Sequence, residues 1–544
     1  MFGRSGSAIA VPLPSFSRRH VLAQLASLAA SAALPRAAWA FADRDPLDGT
    51  IAEYAAGLHT GRWTAAEITA RALERCRSDG MKWHAIDALS ASALAEARAA
   101  DVRRRNAKLR GPLDGVPVFA KAIYDMNALP TTASNAEWAR LFPEPVRRDS
   151  IEVARLRAAG AIVLGKTAAD DFAYRGVGTS SHTGQVRNPY DPTATRTPGG
   201  SSAGSAVAVA GGMAFAALGT DDGGSNRIPA VCVGIVGMKP TFGLVPRTGV
   251  IPTWPYLDTH GPLARSVADA ALLLAAISGA DPSDPLSVGR ALTSDQKSIP
   301  ALRADSLKRV RLGVVDAHVP REKMTSEALA TWDRALDDLR AAGAIVEPFV
   351  PPVTLADYRR AFTDAERARG DVPGDSRSPA ATANALFRYF AGRSDEPLDA
   401  IRRGYSAYRS FYDVLPARFE DCLPLFQRPM ERDPAGQSFA RSRADVVTAL
   451  ARSMHTAGVA AMIYPTMPFN AFRLADGWPD VRTPLGYGNW LGLPEVSVPA
   501  GLGADGMPAL NISVVGLPGD DARVLALAHA YEQHSRRFVP PPRP

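Results

Sequence analysis

Cysteine is nearly absent from this chain, with 3 in 544 residues, and Cys76, Cys232 and Cys422 stand far apart. That excludes a disulfide framework and the close cysteine spacing of a zinc site, leaving three small residues for burial. Lysine is scarce beside arginine, so the setting of any one lysine is informative. No apolar run reaches the ~20 residues that a membrane-spanning helix needs. Repeats of fixed period are missing too. The octapeptide LRAAGAIV occurs at 156–163 and again at 339–346, which reads as one helix–glycine–strand solution used twice and not as a solenoid. Acidic residues are wholly lacking from the first forty positions, where Arg4, Arg18, Arg19 and Arg36 supply four of the +7 formal charges. The remaining +3 is too small to point to nucleic acid as a partner.

What is present is ordinary for a globular chain: 46% hydrophobic and 22% charged residues, enough for one large domain with elaborations or for several smaller ones. Residues 1–40 stand apart. Ser17-Arg18-Arg19-His20 precedes an apolar run at 21–34, and Ala38-Trp39-Ala40 is a small-residue cleavage site. This segment resembles a twin-arginine export signal. The expectation is a mature chain of 41–544 that meets the export machinery already folded, works in the periplasm or outside the cell, and keeps no permanent membrane anchor.

Helices and short apolar strands alternate along the mature chain. Thr64-Ala65-Ala66-Glu67 is a capping box that opens a helix towards Cys76, and the alanine-rich stretch 86–105 predicts another helix. Residues 115–120 predict a buried strand ending at Lys121. Ser150 caps a helix that Gly160 stops, and 161–164 predicts a strand. Further strands are predicted near 215–218, 310–315, 461–464, 495–498 and 510–515, with helices at 267–277 and 522–534. Between about 352 and 437 strands vanish while arginines and aromatics accumulate, so this stretch predicts a mainly helical insertion whose aromatics pack or line a cleft. The alternation argues for an α/β fold around a buried sheet.

Two short patterns mislead. Gly160 to Thr167 matches the spacing of a phosphate-binding loop, but the residues between its glycines predict an apolar strand preceded by a helix, which leaves no flexible cradle. Gly200-Ser201-Ser202-Ala203-Gly204 matches a nucleophile elbow centred on Ser202. That reading needs a histidine base, and His260 (beside a Gly-Pro turn), His318, His455, His529 and His534 each stand in a structural or surface setting. The segment 197–247 carries two serine-bearing glycine turns, Gly199-Gly200-Ser201-Ser202 and Gly223-Gly224-Ser225. Glycine there lets backbone N–H groups approach a developing oxyanion. A serine nucleophile needs a neighbouring base, and a lysine serves if burial lowers its pKa from ~10.4 towards neutrality. Lys121, after an apolar run, fits that role. It equally fits a lysine that snorkels or pairs with Asp125.

The block GGSSAGSAVAVAGG, LGTDDGGSNRIPA and GIVGMKPTFGLVPR closely resembles the signature of the amidase signature family. The likeness extends in order from RGPLDGVPVFAK (110–121) through LRAAGAIVLGKT, RNPYDP and HGPLARSVAD to LGLPEVSVPAG (491–501). It implies an α/β/α sandwich with a central mixed β-sheet flanked by helices. It implies a Ser–cisSer–Lys triad with Ser225 as nucleophile, Lys121 as base and Ser201 as the bridging serine. The backbone N–H groups of Asp222, Gly223, Gly224 and Ser225 match the family's oxyanion hole. The implied activity is hydrolysis of a linear carboxamide C–N bond to carboxylate plus amine or ammonia through an acyl-enzyme, with no metal and no organic cofactor. The implied partner is a small-molecule or peptide amide.

Four positions depart from the family pattern: Ala122 for aspartate, Ala203 for glycine, Asp222 for threonine and Asn226 for an aliphatic residue. Asp222 and Asn226 are expected to place a charge and an amide beside the nucleophile. Alternative activities on the same frame are a carbamate or ester hydrolase, the amide-splitting A-type subunit of a transfer-RNA amidotransferase, and a catalytically idle amide-binding protein. Substrate choice is expected to lie in 126–142 and in the insertion. Nothing in the sequence sets the oligomeric state.

Overall fold

The structure is a computed structural model that describes residues 45–287 and 302–542; the export segment lies outside the described residues. Its strands are, in chain order, β1 (Ile86–Leu89), β2 (Pro117–Lys121), β3 (Ile162–Thr167), β4 (Thr179–Ser180), β5 (Gly184–Gln185), β6 (Ala216–Asp221) and β7 (Val236–Lys239). They continue with β8 (Thr259–Ala264), β9 (Arg311–Val314), β10 (Ile345–Pro348), β11 (Ala461–Pro465), β12 (Glu495–Pro499) and β13 (Asn511–Val515). Strands β4 and β5 form a separate small hairpin. The other 11 make one sheet in the order β1-β3-β2-β6-β8-β7-β12-β13-β11-β9-β10.

The sheet is mixed, as the resemblance implies. Strand β2 runs parallel to β3 and β6, and β9 runs parallel to β10 and β11. Antiparallel pairing joins β6, β8, β7, β12, β13 and β11 across the middle. Central strands are buried along their whole length, because helices such as Val267–Ile277, Ala203–Ala210 and Asp521–Ser535 pack against them. That two-sided burial is why they appear in the sequence as continuous apolar runs and not as an alternating pattern.

Local chemistry sets the helix ends as expected. Thr64 and Glu67 form the predicted capping box, and Ser150 Oγ accepts the Val153 N–H. The two copies of LRAAGAIV adopt the same shape: each ends a helix, turns at a positive-φ glycine (Gly160 at φ 90°, Gly343 at φ 93°) and enters a strand, β3 or β10. The three cysteines are free and buried.

Two expectations need correction. Residues 86–105 are not one helix: 86–89 form β1, which pairs antiparallel with β3, and the helix is Ala93–Arg105. The open edge of β3 offered Ile86 to Leu89 a ladder of hydrogen bonds, and that outweighed the helical propensity of the alanines. The stretch expected to be a helical insertion holds helices Tyr358–Arg369, Pro379–Ala391, Pro397–Arg409 and Phe419–Phe426, but the helix Pro434–Ala457 runs well past 437. Asp433 caps that helix and Gly458, at φ 66°, stops it. Several of its aromatics pack: Phe390 and Tyr408 close around Trp138.

Gly165 lies at φ 151°, and a Cβ there would sit 2.1 Å from the Ala88 carbonyl oxygen. The substitution Gly165→Ala should therefore destabilise the protein by roughly 1–3 kcal/mol. Urea unfolding should show a lower midpoint at unchanged m-value; an unaltered midpoint would show that β1 shifts freely on β3.

Candidate active site

Lys121 is the last residue of β2, and its side chain is fully buried. Nζ lies 2.8 Å from Ser201 Oγ and 2.9 Å from Thr220 Oγ1. Asp125 does not pair with it; that carboxylate accepts from Thr131 Oγ1 at 2.8 Å and from Tyr389 OH at 3.0 Å. Burial pushes the Lys121 amine down to about 8, resisted by the Asp222, Asp170 and Asp258 carboxyls. Its contacts are two neutral hydroxyls, so no salt bridge holds it charged.

The first serine turn is shaped from several directions. Thr197 Oγ1 accepts the Gly199 N–H at 2.9 Å, Gly199 sits at φ 73°, and the Gly200–Ser201 peptide bond is cis, as the resemblance implies. The Asp170 N–H donates to the Ser201 carbonyl at 3.2 Å, while its carboxylate accepts the Thr179 N–H at 2.7 Å. A Cβ on Gly200 would lie 2.1 Å from Asp170 Oδ2, so only glycine fits beside that carboxyl group. Burial raises the Asp170 carboxyl to about 6, opposed by the backbone N–H groups around it.

The second turn hangs from the end of β6. Asp221 Oδ1 accepts the Gly224 N–H at 2.7 Å and Oδ2 the Asn226 N–H at 3.2 Å. Arg227, fully buried, grips both Asp221 oxygens at 3.0 and 2.8 Å and reaches Glu495 on β12 at 2.7 Å. Asn489 adds hydrogen bonds to both Asp221 and Arg227. Against the cost of burial, Arg227 holds the Asp221 carboxyl below the usual carboxylate range. The two turns are stitched directly, since the Ser202 N–H donates to the Ser225 carbonyl at 3.2 Å.

Ser225 is 8% exposed and lines a cavity of about 640 Å³ together with Asp222 and Gly223. Its hydroxyl makes no hydrogen bond to a described residue. Three of the four N–H groups read as an oxyanion hole, those of Asp222, Gly223 and Ser225, have no acceptor among the described residues. The fourth, on Gly224, is already taken by Asp221, which removes it from the set. A Cβ at Gly223 would meet nothing within 4 Å, consistent with an open approach to the turn.

Asp222 is not the bare charge that the sequence suggested. Thr253 Oγ1 donates to it at 2.8 Å, and burial, followed by the nearby Asp258 charge, pushes its carboxyl far above the usual range. Its carboxyl is also the foremost of the charges that oppose the lowering of the Lys121 amine. Asp258 stays ionised because, against the cost of burial, His260 and Arg247 hold it down to about 2. His260 stands between Glu152 (2.5 Å) and Asp258 (3.4 Å), and these carboxylates outweigh burial to raise its imidazole to about 9. It belongs to strand β8, not to a turn. Among the described residues no histidine lines the cavity.

Other expectations change with packing. Asn226 is fully buried and points away from the cavity: Nδ2 donates to the Met238 carbonyl at 3.1 Å and Oδ1 lies 3.2 Å from Ser202 Oγ. Ser202 is likewise fully buried, so the elbow pattern is coincidental. The phosphate-loop pattern is strand β3, whose Lys166 donates to the Pro130 carbonyl at 2.7 Å and to Thr131 Oγ1 at 2.9 Å. Residues 126–142 do not line the cavity. Its walls come from 173–176, Trp254 and Leu257, the insertion (Tyr358, Arg359, 374–377, Tyr412) and 478–490. Sequence reasoning missed Asp170, Thr220, Arg227 and Glu495. An arginine inside the apolar run after GGSN was a visible signal; its partner Glu495 was not.

Comparison with known proteins places the chain among amidases. A family model described as Amidase matches residues 67–403. The A-type subunit of glutamyl-tRNA(Gln) amidotransferase from Paramagnetospirillum magneticum is 33% identical over 510 residues, 89% of this chain and 96% of that protein. The native peptide amidase of Stenotrophomonas maltophilia superposes with a TM-score of 0.74 at 30% identity, covering 92% of this chain and 99% of that one. The corresponding amidotransferase subunit from Thermotoga maritima, at 24% identity and a TM-score of 0.65, covers 92% of this chain and 98% of its own, and shares the fold.

Removing Arg227 would strand two buried carboxylates, so Arg227→Met should cost about 3–5 kcal/mol. Chemical denaturation would report it; a variant of native stability would mean that Asp221 and Glu495 take up protons or water at no cost.

Proposed function

The chain belongs to the amidase family, and from that premise we propose that it hydrolyses linear carboxamides through an acyl-enzyme on Ser225. The observation that carries this reading is the buried Lys121 amine, 2.8 Å from Ser201 Oγ and lowered by burial to about 8. A neutral amine at that position accepts the Ser201 proton, and Ser201 Oγ accepts the Ser225 proton as Ser225 Oγ attacks the amide carbon. Substrate seating is what brings the Ser225 hydroxyl into line with Ser201. The oxyanion forms against the N–H groups of Asp222, Gly223 and Ser225. The proton returns by the same route to the leaving nitrogen as the C–N bond breaks. Water, deprotonated along the same relay, then releases the carboxylate and restores Ser225. Carbamates and esters present the same carbonyl and would enter by the same steps.

A second reading is favoured by the amidotransferase components found within the set of relatives: an amide-splitting subunit that passes ammonia to a partner. Export of the chain through residues 1–40 would exclude it, and we propose that those residues direct export. Cell fractionation and the amide-hydrolysing activity of the purified chain alone separate the two readings. An idle binding protein would differ from both in failing to take a fluorophosphonate label at Ser225.

Ser225→Ala should lower kcat by roughly 10⁴-fold or more in a folded protein, and an active variant would overturn the assignment. Lys121 must be neutral to act, so kcat/KM should fall about tenfold per pH unit below a transition near 8 and level off above it. Lys121→Arg should be inactive across that range, since guanidinium does not deprotonate. A pH profile flat from about 6 to about 9 would show that another base takes the proton.

A further inference from the structure

The wall of the Ser225 cavity carries three arginines, Arg175, Arg359 and Arg377. None of the three forms an ion pair among the described residues, although arginines elsewhere in the chain commonly pair with carboxylates. Two are held in place by aromatic faces. The Arg377 guanidinium lies 5.6 Å from the Trp254 ring centre. Arg359 lies 5.4 Å from Trp490 and 5.8 Å from Tyr358, with Nε 3.2 Å from the Tyr358 hydroxyl. The rings sit beside each guanidinium and, apart from the Arg359 Nε bond to Tyr358, leave its N–H donors without an acceptor among the described residues, an arrangement that suits a carboxylate.

The acids on the same wall do not cancel this charge. Two acids, Asp222 and Asp375, stand there against the three arginines, and Asp375 Oδ1 accepts the Arg377 backbone N–H at 2.8 Å. The cavity is therefore cationic, and aromatic on several sides, with Trp254, Tyr412, Trp478 and Trp490 among its lining.

We infer that the preferred substrate is an aromatic amide that also bears a carboxylate remote from the scissile bond, held by Arg359 and Arg377 against the tryptophan-lined wall. The inference rests on the assignment of this cavity as the amidase site, and its test is chosen to be separable from that assignment. Binding of phenylpropanamide and of its para-carboxylated analogue is measured on the Ser225→Ala protein, which does not depend on turnover. The carboxylated ligand should bind about tenfold tighter or better, and the advantage should shrink as salt rises. The double variant Arg359→Gln/Arg377→Gln on the same background should bring the ratio of the two dissociation constants close to one. Equal binding of the two ligands, or a preference that neither salt nor the substitutions reduce, overturns the inference. Turnover of phenylpropanamide by the unsubstituted enzyme separately tests the hydrolase reading.

Discussion

Everything at this site follows from burying one primary amine without a counter-ion. Lys121 is fully enclosed at the end of β2, and its nearest polar atoms are the hydroxyls of Ser201 and Thr220. An ammonium in that setting loses its hydration and gains no carboxylate contact, so its proton is held more weakly than in water. The sheet makes this arrangement possible. Strand β2 lies inside it between β3 and β6, so the chain has no freedom to swing the lysine out to solvent. Thr220 comes from the adjacent β6, and the same strand ends one residue later at Asp221, where the second serine turn begins.

The negative groups around the lysine are each managed differently. Burial and then Asp258 push the Asp222 carboxyl up, whereas Asp258 keeps its charge because it faces His260 and Arg247. Asp221 keeps its charge because Arg227 grips both its oxygens. Asp221 and Asp258 are thus answered by other cations, while the Asp170 carboxyl, raised by burial to about 6, is met by backbone N–H groups. At Asp222, where the chain departs from the family pattern, the carboxyl group accepts from Thr253 Oγ1 and continues the hydrogen-bonded frame.

The Arg227 cluster does the complementary task of holding shape. A turn that offers free N–H groups to a ligand has no internal hydrogen bonds of its own to keep it in place. Here Asp221 takes the Gly224 and Asn226 N–H groups, Arg227 and Asn489 hold Asp221, and Glu495 on β12 anchors Arg227. The turn can therefore present three unclaimed donors. The same division explains the cavity: Asp222, Gly223 and Ser225 of the second serine turn line it, while its aromatic and cationic walls come largely from the insertion and from 478–490.

Sequence alone was enough to set the α/β class, most of the strands, the helical insertion and the candidate triad. Buried strands announce themselves as apolar runs, and a lysine at the end of such a run has few places to go. Glycine–serine turns in the family's order supplied the rest of that reading. What only the tertiary structure decided were matters of distance between remote segments. The edge of β3 turned 86–89 from helix into strand. The Arg227–Glu495 pairing joined residues that no local pattern relates. The packing of Asn226 under Ser202 removed an amide from the site, and burial of Asp222 beside Asp258 pushed its carboxyl up. The lining of the cavity also came from segments other than 126–142. Each of these depends on which side chains share a dry, low-dielectric space, and that is a property of the packed chain and not of its order of residues.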